Sequence, residues 1–110
     1  MKNYNWMSTD SEENFNYNYE KYPALFQKYK DNPIIYRINS HGFRSDFEFR
    51  KNTKKKVDIY LGCSHTQGIG HYIENTWPHL MSKHTGNAPM NLSMAGTGTM
   101  FDAYNLLKYV

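Results

Sequence analysis

The sequence predicts an α/β fold built on parallel strands, and three observations carry that expectation. Residues 57–61, VDIYL, form an apolar, β-branched run that stops at Gly62 and gives way to small and polar residues, as a buried strand feeding a turn does. A helical pattern, a second short strand and a second helical pattern then follow. Strand, helix, strand, helix is the order that a parallel sheet with crossover helices requires. In open sheets of this class, ligands meet the loops at the carboxyl ends of the strands, so Ser64 stands where chemistry is expected.

The elements follow in order. Residues 1–22 are rich in Asn, Tyr and acids and have neither a helical nor an alternating apolar period. Residues 1–33 therefore read as a partly irregular, loosely packed N-terminal extension. Within it, 23–30 (PALFQKYK) predicts a short helix with Pro23 in its first position and Leu25, Phe26 and Tyr29 on one side. Asp31-Asn32-Pro33 makes a turn, 34–39 (IIYRIN) is extended, and Asn39-Ser40-His41-Gly42 turns the chain again, with Gly42 supplying a positive φ. Past the central strand, a helix starts near Asn75 or Thr76 with Pro78 in its first turn. Its predicted inward face is Trp77, Leu80 and Met81, and Gly86 is its stop. Residues 89–93 form the second strand and 95–99 its exit loop. A final helix runs from Met100 through Phe101, Tyr104, Leu107 and Lys108 with Thr99 as its cap. The sequence stops at LLKYV inside this pattern with no glycine, proline or polar stop, which predicts that the reading frame continues.

Composition bounds the function. The chain has 110 residues, 39% hydrophobic and 16% aromatic, enough for one modest core filled by large side chains. The formal charge of +3 is concentrated in one basic run, 50–56, which reads as a solvated loop; without a stacking motif it makes nucleic acid an unlikely ligand. A single cysteine excludes an internal disulfide and fits a reducing compartment. The N-terminus lacks the apolar core of a signal peptide and no stretch approaches the ~18 apolar residues of a membrane span, so a cytoplasmic location is expected.

The chemistry centres on Gly62-Cys63-Ser64-His65-Thr66-Gln67-Gly68. An α/β-hydrolase elbow needs Gly-x-Ser-x-Gly, but the fifth residue here is Thr66; a phosphate loop needs a lysine that does not follow Gly68 or Gly70. The segment resembles the first block of the SGNH (GDSL-type) hydrolases, Gly-Asp-Ser-x-Thr-x-Gly, with Cys63 in place of the aspartate. Two further segments agree with that resemblance. Residues 39–45, NSHGFRS, are similar to the Asn-x-x-Gly-Phe/Leu-Arg stretch upstream of the first block, and 91–97, NLSMAGT, to the second block, Asn-x-Gly-x-x-Gly, with Ser93 in place of its first glycine. Arg44 reads as the partner of an anion or of an internal carboxylate.

The resemblance implies a three-layer α/β/α sandwich with a mainly parallel, flavodoxin-like sheet, of which 34–110 would be the N-terminal part, incomplete at the C-terminus. It implies an esterase or acyl hydrolase working through an acyl-serine on a small-molecule or glycan ester, with no metal and no organic cofactor. Ser64 is the implied nucleophile, and the backbone N–H groups of Ser64 and Gly96 are the implied oxyanion donors. The family's third-block asparagine and its Asp-x-x-His pair have no counterpart in these residues. Little turnover is therefore expected of this chain alone, on the order of 10³-fold or more below a complete triad. Cys63 reads as a small, partly buried thiol, and His41, His65, His71, His79 and His84 as surface or helix-end residues rather than a base or metal cluster. The alternative is a non-catalytic SGNH-like module that binds carbohydrate or protein.

Overall fold

The computed structural model describes residues 1–5, 11–50 and 54–110, and shows a mixed α/β chain with two separate two-stranded sheets. Part of the basic run, 51–53, and Thr9 and Asp10 of the acidic N-terminal segment lie outside the described residues.

The N-terminal region is more regular than its composition predicts. Strand β1 (Lys2–Asn5) pairs antiparallel with β2 (Ile35–Ile38), Lys2 opposite Ile38 and Asn5 opposite Ile35. Helix α1 (Glu12–Lys21) is capped by the Ser11 hydroxyl, which accepts from the Asn14 N–H, and carries Glu12 and Glu13 in its first turn. Helix α2 (Pro23–Asp31) starts on Pro23 as expected. The two are held mainly by rings, Phe15 meeting Phe26 edge-on at 6.0 Å, and neither buries a residue fully. An apolar period cannot reveal a helix that caps and surface aromatic contacts hold. Leu25, expected to pack beside Phe26 and Tyr29, is exposed.

The second sheet is the parallel unit read from the sequence. Strand β3 (Val57–Tyr60) pairs with β4 (Ala88–Asn91), Val57 opposite Ala88 and Tyr60 opposite Asn91. Between them lie the one-turn helix α3 (Ser64–Gln67), which the sequence reading took for loop, a 3-10 turn (Ile73–Asn75), and α4 (Trp77–Thr85), ended by Gly86 at φ 77°. Helix α5 (Thr99–Tyr109) follows β4; its cap is Gly98, not Thr99. Among the described residues β3 pairs with β4 alone, and the 35–38 strand pairs with β1.

Two predicted helix faces are rotated. On α4, Trp77, Leu80 and Met81 are exposed, while Pro78 and Ser82 are buried against the sheet. The polar chemistry of β3 decides this. The Ser82 hydroxyl bonds Tyr60 Oη at 2.8 Å and donates to Asp58 Oδ2 at 2.9 Å, and a buried polar pair fixes orientation more strictly than apolar contact does. Trp77 only meets the Tyr60 ring edge-on at 5.3 Å. On α5, Phe101, Asp102, Asn105 and Tyr109 face inward, leaving Tyr104 and Leu107 outside. The core proper is small: Ile34, Phe43, Tyr60 and Leu92.

Asp58 ties β3 to the end of α4. Its carboxylate accepts from Asn87 Nδ2 at 2.8 Å, from the Thr85 hydroxyl, from Ser82 and weakly from Tyr60, and these bonds, Asn87's first, hold its pKa below the ordinary aspartate value. A depressed folded pKa stabilises the fold above the unfolded value of about 3.9 and loses that contribution as pH falls through the folded one. Acid unfolding followed by circular dichroism is therefore expected to shift less steeply below about pH 4 in Asp58→Asn than in the wild-type chain.

Candidate active site

Ser64 sits at the carboxyl end of β3 because Gly62 allows the chain to turn there. Gly62 has φ 150°, and a Cβ at that position would lie 2.1 Å from the Thr66 hydroxyl. No other residue type fits that approach. The Gly62 N–H donates to Asp102 Oδ1 on α5 at 3.2 Å, and its carbonyl accepts from the Thr97 hydroxyl at 3.4 Å. Cys63 precedes α3, and the Ser64 carbonyl accepts from the N–H groups of Gly68 (2.9 Å) and Ile69 (3.2 Å), closing the turn.

The segment 39–45 clamps the far side of that turn. Asn39 folds its own loop, its Oδ1 accepting from the N–H groups of His41 and Phe43, while Gly42 adopts φ 88°. Arg44 then projects inward and is 3% exposed. Its guanidinium donates to the carbonyls of Gly68 (2.6 Å), His71 (2.7 Å) and Gln67 (3.2 Å) and lies 4.4 Å from the centre of the Tyr36 ring. Tyr36 Oη in turn accepts from the Gly70 N–H at 2.8 Å. Arg44 thus pairs with main-chain carbonyls and not with an internal carboxylate, one of the two partners weighed from sequence, and its buried Nε has no hydrogen-bond partner among the described residues. The partners of Arg44 are main-chain oxygens, which no side-chain pattern announces. Burial pushes its pKa down and that of Tyr36 up, with the facing ring and guanidinium countering each shift.

The loop after β4 closes the third side. Asn91 Nδ2 donates to the Thr66 carbonyl at 2.8 Å, and its Oδ1 accepts from both the N–H (3.1 Å) and the hydroxyl of Ser93. Ser93, standing where the resembled block has glycine, is buried and bonded to the first residue of that block. The Ala95 N–H donates to Gln67 Oε1 at 2.8 Å, and the Thr97 hydroxyl, 2.6 Å from the Met94 carbonyl, closes the turn that holds Gly96 at φ 77°. A Cβ on Gly96 meets nothing within 4 Å, so backbone conformation alone accounts for glycine there. The three segments singled out in the sequence therefore meet around one turn, 62–70. Asn91, Gln67, Tyr36 and Asp102, which do the joining, were given no role from sequence; only Asp102, an acid in a helix's first turn, carried a local signal.

Two side chains of nucleophilic type on the turn are Ser64 and its neighbour Cys63, both half-buried. No described hydrogen bond joins Ser64 Oγ to a histidine. His65 instead approaches Cys63, Nδ1 to Sγ 3.9 Å. Hydrogen bonding from the His65 ring, then from the His65 N–H and from Ser64, lowers the Cys63 pKa to about 7 against opposing desolvation. The other four histidines stand apart: His79 lies 4.0 Å from Asp46, His41 stacks on Phe49 and meets Tyr109 edge-on, and His71 and His84 are exposed. Among the described residues no group of three His, Cys, Asp or Glu converges as metal ligands, and no helix is long and apolar enough to cross a membrane. Comparison of the chain with protein-family models, with curated proteins and with solved structures finds no match in any of the three.

Two outcomes follow. Iodoacetamide alkylation of Cys63 should rise with pH around a midpoint of about 7, and the midpoint should move upward in His65→Ala. Arg44→Ala strips three carbonyls of a buried charged donor and should lower unfolding free energy by roughly 2–4 kcal/mol in urea titration, whereas Arg37→Ala, an exposed arginine, should change it by less than about 0.5 kcal/mol.

Proposed function

We propose that this chain is an SGNH-type serine hydrolase unit acting on small-molecule or glycan esters, with Ser64 as nucleophile and the main-chain N–H groups of Ser64 and Gly96 as oxyanion donors. The observation that carries the reading is the convergence of 39–45, 62–70 and 91–97 on the turn at the carboxyl end of a parallel strand, held by Arg44, Asn91 and Gln67. In this reading the β3–β4 pair and α4 belong to a three-layer α/β/α sandwich.

In this reading Ser64 Oγ attacks the acyl carbonyl as its proton passes to the general base that the resemblance implies, the two N–H groups receive the charge that develops on the carbonyl oxygen, the same base protonates the departing alcohol, and a water that it then deprotonates cleaves the acyl-serine and returns the proton to Ser64; these residues supply the nucleophile and the oxyanion donors and not the base. Arg44 is a positioning residue: it acts on the carbonyls of the turn and not on substrate. Gln67 and Thr97 hold the Gly96 turn against the Ser64 turn, and a donor misplaced by an ångström loses most of its value.

A second reading, a non-catalytic module that binds carbohydrate or protein through the same loops, is favoured by one observation: His65 faces Cys63 and not Ser64. Labelling separates the two. In a version of the protein that also carries the general base, a fluorophosphonate probe is expected to modify Ser64, with Ser64→Ala reducing labelling about 100-fold or more and Cys63→Ala retaining most of it. Absence of labelling at Ser64, with retained glycan or protein binding, would favour the module.

A further inference from the structure

The hydrogen bonds of Arg44 leave one of its buried nitrogens unanswered. Nη1 donates to the Gln67 and Gly68 carbonyls and Nη2 to that of His71, but Nε, also buried, meets no acceptor among the described residues. A donor on a buried cation that bonds nothing forfeits the hydration it had in the unfolded chain, a larger cost than for a neutral group. Arg44 also lines a small cavity of about 10 Å³, the space of one water molecule. Its other polar walls include Ser45, Thr76 and Asn91, all buried. Thr76 stands close to the guanidinium: a Cβ on Gly68 would lie 2.1 Å from the Thr76 methyl and 3.2 Å from Arg44 Nη1.

The walls select the occupant. Ser45 Oγ donates to the Phe47 carbonyl at 2.8 Å and Thr76 Oγ1 to the Ile73 carbonyl at 2.7 Å, so their protons are committed and their oxygens are left as acceptors. Asn91 Nδ2 is engaged in turn by the Thr66 carbonyl. A molecule seated here has to accept from Nε and donate to hydroxyl oxygens. Water does both in the space of one heavy atom, and a buried water makes about three such bonds. A halide would accept from Nε but would face the lone pairs of the hydroxyl oxygens.

We propose that this cavity is the binding site of one ordered water, which accepts from Arg44 Nε and donates to the hydroxyl oxygens of Ser45 and Thr76. Ser45 follows Arg44 in the 39–45 clamp, and Thr76 is the residue at which α4 begins. The water therefore ties the clamp and the start of α4 to the guanidinium that holds the 62–70 turn, and it completes the bonding of that guanidinium without a carboxylate. The site is independent of the catalytic reading, because it holds the turn whether or not Ser64 reacts.

Nuclear magnetic resonance of the nitrogen-labelled chain tests it. Arg37 and Arg50 are exposed and Arg44 is buried, so the slowly exchanging Nε–Hε signal belongs to Arg44 and should vanish in Arg44→Lys. Its Hε is expected to cross-relax with water, with opposite signs in the laboratory and rotating frames, a pattern that marks a bound water and separates it from proton exchange. Thr76→Val, which removes an acceptor and keeps the shape, should weaken that cross-peak severalfold, and Thr76→Ser, which keeps the hydroxyl, should retain it. The wild-type measurement stands even where a variant fails to fold. The proposal is overturned by an Arg44 Hε that exchanges as fast as those of Arg37 and Arg50, or by a protected Hε with no cross-relaxation to water. An Hε shift that titrates with chloride would put an anion in the cavity and overturn it equally. So would a cross-peak that a folded Thr76→Val chain keeps at full strength.

Discussion

The buried guanidinium of Arg44 is the contact on which the rest of the candidate site depends. Residues 67–71 leave a one-turn helix, and within them the Gly68 carbonyl accepts from the His71 N–H at 3.1 Å. Arg44 supplies the donors, to Gln67, Gly68 and His71, and the Tyr36 ring covers its face. A buried charge is tolerable only when hydrogen-bonded on most sides, so the arginine and the turn stabilise each other. Through Tyr36, which lies on β2 and holds the Gly70 N–H, the same contact links the antiparallel sheet to the parallel one. No strand pairing does so among the described residues.

The parallel unit is held by a similar economy of apolar surface. Helix α4 meets the sheet through Ser82 and Pro78, and the Tyr60–Ser82–Asp58 network sets its rotation. Its larger apolar residues are left outside. With Ile34, Phe43, Tyr60 and Leu92 as its buried apolar residues, the chain relies on specific polar contacts where a larger domain relies on volume. The exposed faces of α4 and α5 are the other side of that arrangement.

Cys63 and Ser64 set a thiol beside a hydroxyl on the turn. His65 lowers the thiol's pKa and leaves the hydroxyl without an imidazole partner. At neutral pH the thiol is partly ionised, whereas a hydroxyl needs a base to become nucleophilic. Ser64 has the position that the sequence pattern assigns to a nucleophile, at the carboxyl end of β3; Cys63 has the local electrostatics.

The sequence by itself determined the parallel strand pair, the helix between its strands, the helix that follows, and the stops at Gly62 and Gly86, because these depend on local chemistry: β-branched runs, a first-turn proline, and glycines where φ is positive. It also marked the three segments that meet at 62–70. Tertiary structure decided how they meet. The distant partners of Arg44, Asn91 and Gln67 are backbone atoms 23 to 28 residues away, and a main-chain carbonyl or N–H has no sequence signature. The same reason explains the rotated helices. Periodicity reports which residues are apolar, but the face turned inward was chosen by Ser82 reaching Tyr60 and Asp58 on α4, and by Asp102 reaching the Gly62 N–H on α5. The N-terminal strand and helix escaped notice because a two-stranded edge pairing and a capped, aromatic-braced helix need no buried apolar stripe, and such a stripe is the signal that sequence reading detects.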